Sequence, residues 1–105
     1  MVMLLYLQHT EWSVAMKDRT LQGFLRLYNS QHGKASDYMM VQVQVDDQEP
    51  ELIINTRANF EEKMAYYAQA YDEDLTLKAN PSVKIVDFDF FLNYVDLMEA
   101  QSYIL

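Results

Sequence analysis

Asp87 and Asp89 stand one residue apart in a stretch where Val86, Phe88 and Phe90 alternate with them, the period-2 pattern of a half-buried strand. A strand sets both carboxylates on one face, about 6.6–6.8 Å apart. With Asp72, Glu73 or Asp74 nearby, such a pair could hold Mg²⁺ for phosphoryl transfer. No basic or Gly-rich phosphate cradle accompanies them, however, and alternating acids on the exposed face of an edge strand guard against edge-to-edge pairing. His9-x-Glu11 has the form that opens a zinc deaminase signature, but its second half needs Pro-Cys-x-x-Cys and the chain has no Cys. His9 and His32 lie in polar segments without His-x-His or His-x-x-x-His spacing and read as surface histidines. Gly-x-Ser-x-Gly, P-loop and Gly-x-Gly-x-x-Gly motifs are absent, and acid pairs of glycosidase type arise by chance in any acidic chain. The residues therefore assign no catalytic group, no metal and no cofactor, and point to a protein that is not an enzyme.

The distribution of charge is more informative. Residues 1–36 hold four bases against two acids, a local net of +2, whereas residues 37–105 hold 14 acids against four bases, a net of −10. An acidic surface of that kind repels nucleic acid and membrane headgroups and attracts basic proteins. Three clusters carry it: Asp46, Asp47, Glu49 and Glu51; Asp72, Glu73 and Asp74; and Asp87 with Asp89. Together they are expected to form a field of carboxylates whose spacing on neighbouring strands approaches that of nucleic-acid phosphates, about one charge per 1.7 Å of duplex axis.

The elements that must position these groups follow from length and periodicity. At 105 residues, half of them hydrophobic and including eight Tyr, five Phe and one Trp, the chain suits a single domain over 1–105 that folds on its own. The lack of Cys suits a reducing cytoplasm, and the apolar run at the start, lacking a basic flank and a cleavage site, reads as a buried strand. Residues 2–8 and 12–16 are expected to form a hairpin. Leu21, Phe24, Leu25 and Tyr28 then take helical spacing with Asp18 as N-cap, interrupted by Gly23. Residues 29–36 read as a flexible loop. Met39, Val41, Val43 and Val45 alternate as a strand, Asp47-Gln48-Glu49-Pro50 as a turn and residues 51–55 as the returning strand. Asn59 and Glu62 form a capping-box pattern ahead of a helix bearing Phe60, Met64, Tyr67, Ala68 and Tyr71. The acids 72–74 follow at its unfavourable C-terminal end. Residues 75–78 suggest a short strand, 83–90 another, and Phe91, Leu92, Val95, Met98 and Ser102 a final helix. The fold class expected is α+β: a mainly antiparallel sheet covered on one face by two to three helices.

Tyr66, off the apolar stripe of its helix, and Tyr94 are interface candidates, because exposed Tyr offers large contact area. The stretch VQVQVDDQEPELIINTRANFEEKMAYYAQAYDEDL, an acidic hairpin running straight into an amphipathic helix, resembles the small acidic α+β accessory proteins of phages and prophages of Gram-positive bacteria, among them certain type II anti-CRISPR proteins. The resemblance is architectural, covers the middle third and carries over no site residue. It implies a cytoplasmic protein of mobile-element origin in a bacterial host, which inhibits a DNA-binding enzyme by occupying its basic groove. The function expected is thus non-enzymatic docking on a basic protein surface as an inhibitor and nucleic-acid mimic, through Asp46, Asp47, Glu49, Glu51, Asp72, Glu73, Asp74, Asp87, Asp89 and Tyr66, with no direct nucleic-acid or membrane contact. The alternative is a small assembly module, such as a homodimer, with an aromatic and Met interface.

Overall fold

The computed structural model describes residues 17–104, and the hairpin expected over 2–16 lies outside them, as does His9-x-Glu11. Within that span run α1 (Leu21–Asn29), α2 (Gln31–Ala35), β1 (Tyr38–Val45), β2 (Glu51–Thr56), a 3-10 turn (Arg57–Asn59), α3 (Phe60–Ala70), β3 (Val83–Phe91) and α4 (Tyr94–Ile104). The strands form an antiparallel sheet of order β2-β1-β3, and the α+β class expected from the sequence is the one observed.

Alternation along β1 decides what is buried. Met39 and Val41 face the helices with Phe88, Phe90 and Ile85 of β3, and α1 and α3 close over them with Phe24, Phe60, Met64 and Tyr67, joined by Tyr71 just after α3. Phe24 stacks on Phe88 with ring centroids 4.4 Å apart, and Phe60 meets Phe90 edge-on at 5.6 Å, geometries that aromatic quadrupoles favour. Ala68, although in the helical stripe, is exposed. On the reverse of the sheet Met40 is buried, and α4 approaches there, with the Tyr94 ring edge-on to Tyr38 at 6.1 Å and Leu97 buried.

Several local expectations are corrected. Thr20, not Asp18, caps α1: its hydroxyl accepts the Gly23 N–H at 3.0 Å, and Asp18 is turned to the Thr20 hydroxyl and to Arg26. Gly23 is required by this arrangement, since a Cβ there would lie 2.0 Å from the Asp18 carbonyl oxygen. Residues 29–36 are not a flexible loop but contain α2, because Ser30 ends α1 through Leu27 O and caps α2 through the Gly33 N–H at 3.1 Å. The Asn59/Glu62 capping box does not form: the 3-10 turn has already placed Asn59 in helical backbone conformation, leaving its side chain no cap bond. In β3 the expected face of Val86 passes to Ile85, because a bulge opposite Gln42/Val43 shifts the register by one. Residues 75–78 make only isolated bridges, Tyr71 to Leu77 and Thr76 to Lys84, rather than a strand.

Candidate docking surface and the two sheet edges

The outer edge of β3 is closed by side chains. The register with β1 turns the Phe88 and Phe90 peptide groups outward, and each N–H is taken by the carboxylate before it, Phe88 N by Asp87 Oδ1 at 2.9 Å and Phe90 N by Asp89 Oδ1 at 2.8 Å. The Phe88 carbonyl accepts from Lys17 Nζ at 2.9 Å. The same ammonium reaches Asp87 Oδ1 at 3.2 Å and Asp89 Oδ2 at 3.3 Å, and Arg19 Nε adds a 3.3 Å contact to Asp87. His32 Nε2 stands 2.6 Å from the Phe90 carbonyl; a carbonyl only accepts, so Nε2 carries the proton. Further along, Ile85 N–H bonds Leu75 O and Leu77 N–H bonds Val83 O, both at 2.9 Å.

Asp87 and Asp89 are therefore not free docking carboxylates. Their spacing does bring two acids together, as expected, but a lysine ammonium occupies the place a divalent cation would need. Among the described residues no group of three or more His, Asp or Glu is placed to hold a metal ion. Lys17 lies 70 positions from Asp87 in sequence, so only the fold reveals the pairing.

The 72–74 acids also have structural duties. α3 ends at Ala70 with Tyr71 as C-cap, so the acids lie beyond the helix rather than inside its last turn. Glu73 sits instead at the N-terminus of α1, where its carbonyl takes the Leu21 N–H at 2.9 Å and its carboxylate the Gln22 N–H at 3.3 Å, the favourable end of a helix dipole. Asp74 accepts the Thr76 N–H at 3.1 Å, and that bond, with the Thr76 hydroxyl and the charge of Lys84, holds its carboxyl below the usual range. Leu75, buried, takes φ 65° to make this turn, a conformation that a Leu side chain resists. Asp72 is exposed.

Asp46, Asp47, Glu49 and Glu51 form the exposed tip and return of the β1–β2 hairpin. Asp46 adopts φ 51°, a left-handed turn position that Asp tolerates, and its N–H bonds Ser82 O at 2.9 Å. No cation lies within ion-pair distance of these four among the described residues. Lys84 lines an open depression of about 300 Å³ with Asp46, Asp47, Gln44, Pro81 and Ser82. The three acidic clusters are thus not one field. Lys84 stands beside both the hairpin tip and Asp74, and Lys17 with Arg19 neutralises the third cluster.

Tyr66 is 50% exposed, with its ring 5.6 Å from Tyr67 and 6.3 Å from Tyr71. Burial first, then the neighbouring tyrosines, pushes the Tyr67 hydroxyl up to about 12. Leu92 before α4 and Tyr94, Val95 and Met98 in its first half are also exposed large apolar residues. No described helix is long and apolar enough to cross a membrane. Comparison of the chain with protein-family models, curated proteins and solved structures finds no match.

Proposed function

We propose that this protein is a non-enzymatic acidic binding protein of mobile-element origin, which docks on a basic surface of a nucleic-acid-binding protein and thereby inhibits it. The observation that carries the reading is the β1–β2 hairpin: Asp46, Asp47, Glu49 and Glu51 are exposed, have no ion-pair partner among the described residues and are held by paired strands. The docking set is accordingly narrowed to these four with Asp72 and Tyr66 at the periphery, while Asp87, Asp89, Glu73 and Asp74 hold the fold. Exposed charges of this kind act mainly on association rate and salt dependence.

The test is capture from lysate of a bacterial host on immobilised protein, comparing wild type with Asp46→Asn, Asp47→Asn, Glu49→Gln and Glu51→Gln combined. A basic nucleic-acid-binding protein should be retained at about 0.05 M salt, released by about 0.2 M salt, displaced by added duplex DNA, and missed by the variant. Retention that ignores salt, DNA and the substitutions would refute it. In that event the exposed apolar residues Leu92, Tyr94, Val95 and Met98 favour the assembly reading, and sedimentation should then show a dimer that Val95→Glu dissociates.

A further inference from the structure

The two edges of the sheet are treated in opposite ways. Every outward peptide group described above on β3 has a partner within the chain. On β2, the Arg57 N–H bonds Asp37 O at 3.0 Å, and the register Tyr38↔Thr56 through Val43↔Glu51 then fixes the alternation. Residues 51, 53 and 55 bond inward to β1, and the N–H and C=O of Leu52, Ile54 and Thr56 point outward. The Thr56 carbonyl opens the 3-10 turn that follows and is used there, and no described residue bonds to the other five groups.

Natural edge strands are usually blunted by Lys, Pro, a bulge or a covering segment. Among the described residues β2 has none of these along its length: it pairs with β1 without a register shift, and Pro50 stands before it. Ile53 and Ile54, on opposite faces, are 37% and 38% exposed. Between Lys34 and Arg57 the chain contains no Lys or Arg, whereas Asp46, Asp47, Glu49 and Glu51 lie beside this edge. Arg57 itself is spent, its guanidinium donating to the carbonyls of Ser36, Gly33 and Lys34 and lying 4.9 Å from the Phe60 ring centre. Asn55 is 8% exposed, and its buried Nδ2 has no hydrogen-bond partner.

From these observations we propose that the edge of β2 left open by the described residues receives an extended, basic segment of the partner protein as a fourth strand. The outward peptide groups of Leu52 and Ile54 and the Thr56 N–H would supply the main-chain bonds, Ile53 and Ile54 the apolar contacts on either face, and Glu49 and Glu51 the charges that select Lys or Arg in the incoming strand. A second copy of this chain fits the edge poorly: two hairpins that each carry four acids and no free base would have to meet. The inference rests on the acidic-docking reading and gives its mode.

The experiment uses ¹⁵N-labelled full-length protein and a blocked synthetic peptide, Lys-Val-Thr-Val-Thr-Val-Lys, with two controls: its lysines replaced by Glu, and its central Val replaced by Pro. The Lys peptide should slow exchange of the Leu52, Ile54 and Thr56 amides and shift the Asn55 side-chain signal, and both effects should be lost with the Pro peptide. The Glu peptide should bind at least about tenfold more weakly. Ile54→Pro removes an N–H that the fold does not use, and should abolish protection; Ile54→Lys, which repels a basic strand, checks the same point should the proline variant not fold. If the Lys peptide shifts only the hairpin tip and the Pro peptide does so equally, strand addition is overturned and acidic docking stands. If the Glu peptide protects the edge as well as the Lys peptide, acidic selection is overturned while the edge stands. No binding of any peptide overturns the inference, leaving the capture experiment to judge the docking reading by itself.

Discussion

Replacing Lys17 by Met separates a structural role for Asp87 and Asp89 from a docking role. The ammonium makes one bond to the Phe88 carbonyl and one to each carboxylate, at 2.9, 3.2 and 3.3 Å, and lies 5.7 Å from the centre of the Phe88 ring. The side chains are 21%, 26% and 35% exposed for Lys17, Asp87 and Asp89, between the surface limit, where a pair is worth about 0.2–1 kcal/mol, and the buried limit, where breaking one costs about 3–5 kcal/mol. The expected loss is about 1–2 kcal/mol. At about 4–8 °C of melting temperature per kcal/mol for a domain near this size, thermal unfolding followed by circular dichroism resolves it readily. A cycle with Asp87→Asn and Asp89→Asn should then show coupling: once Lys17 is Met, the Asp substitutions should cost less than in wild type, because they relieve two neighbouring acids of which only Asp87 keeps a cation, Arg19. Costs that add without coupling, or a Lys17→Met protein as stable as wild type, would refute the edge-lock argument and return the two acids to the docking surface.

Other outcomes follow from the same geometry. Gly23→Ala, which helix propensity alone makes favourable, should instead destabilise by about 1–3 kcal/mol in urea titration, since the added methyl meets the Asp18 backbone at 2.0 Å. Phe60→Ala and Met64→Ala should each cost about 2–5 kcal/mol by the same titration, both side chains being buried at the sheet. Tyr67 binds its proton more tightly in the folded protein, near 12 against an ordinary 10.0, so its contribution should be intact below pH 10 and decline as pH rises from there through about 12. Urea midpoints at several alkaline pH values should fall more steeply in wild type than in Tyr67→Phe.

What the sequence showed and what it hid divide along physical lines. Elements with one clean period were legible: the alternation of Met39, Val41 and Val43 and the stripe Phe60, Met64, Tyr67 need only the neighbouring residues to be read. Where two short elements share a cap, as at Ser30, local composition looks like a loop, because Ser, Asn and Gly serve caps and turns alike. The bulge that moves burial from Val86 to Ile85 belongs to the pairing with β1 and leaves no trace in β3 alone. Acidic runs were visible as charge, but their partners, Lys17 for Asp87 and Asp89 and the α1 N-terminus for Glu73, are distant in the chain. A composition-based reading therefore overcounted the free carboxylates.

That overcount bears on function. If every acid were free, the surface would be a diffuse negative field, able to attract any basic protein and to select none. With Asp87, Asp89 and Glu73 committed to internal bonds, the exposed hairpin acids remain beside the sheet edge whose Leu52 and Ile54 peptide groups have no partner among the described residues. Charge and main-chain valence then act on the same ligand: the hairpin acids raise its encounter rate, and the edge holds it in register. Neutralising the acids should slow association, whereas Ile54→Pro should speed dissociation, since main-chain bonds form only once the strand is seated. Stopped-flow and surface-resonance kinetics with the Lys-Val-Thr-Val-Thr-Val-Lys peptide can read the two separately. Both substitutions acting on the same rate constant would mean that edge and acids are not two parts of one site.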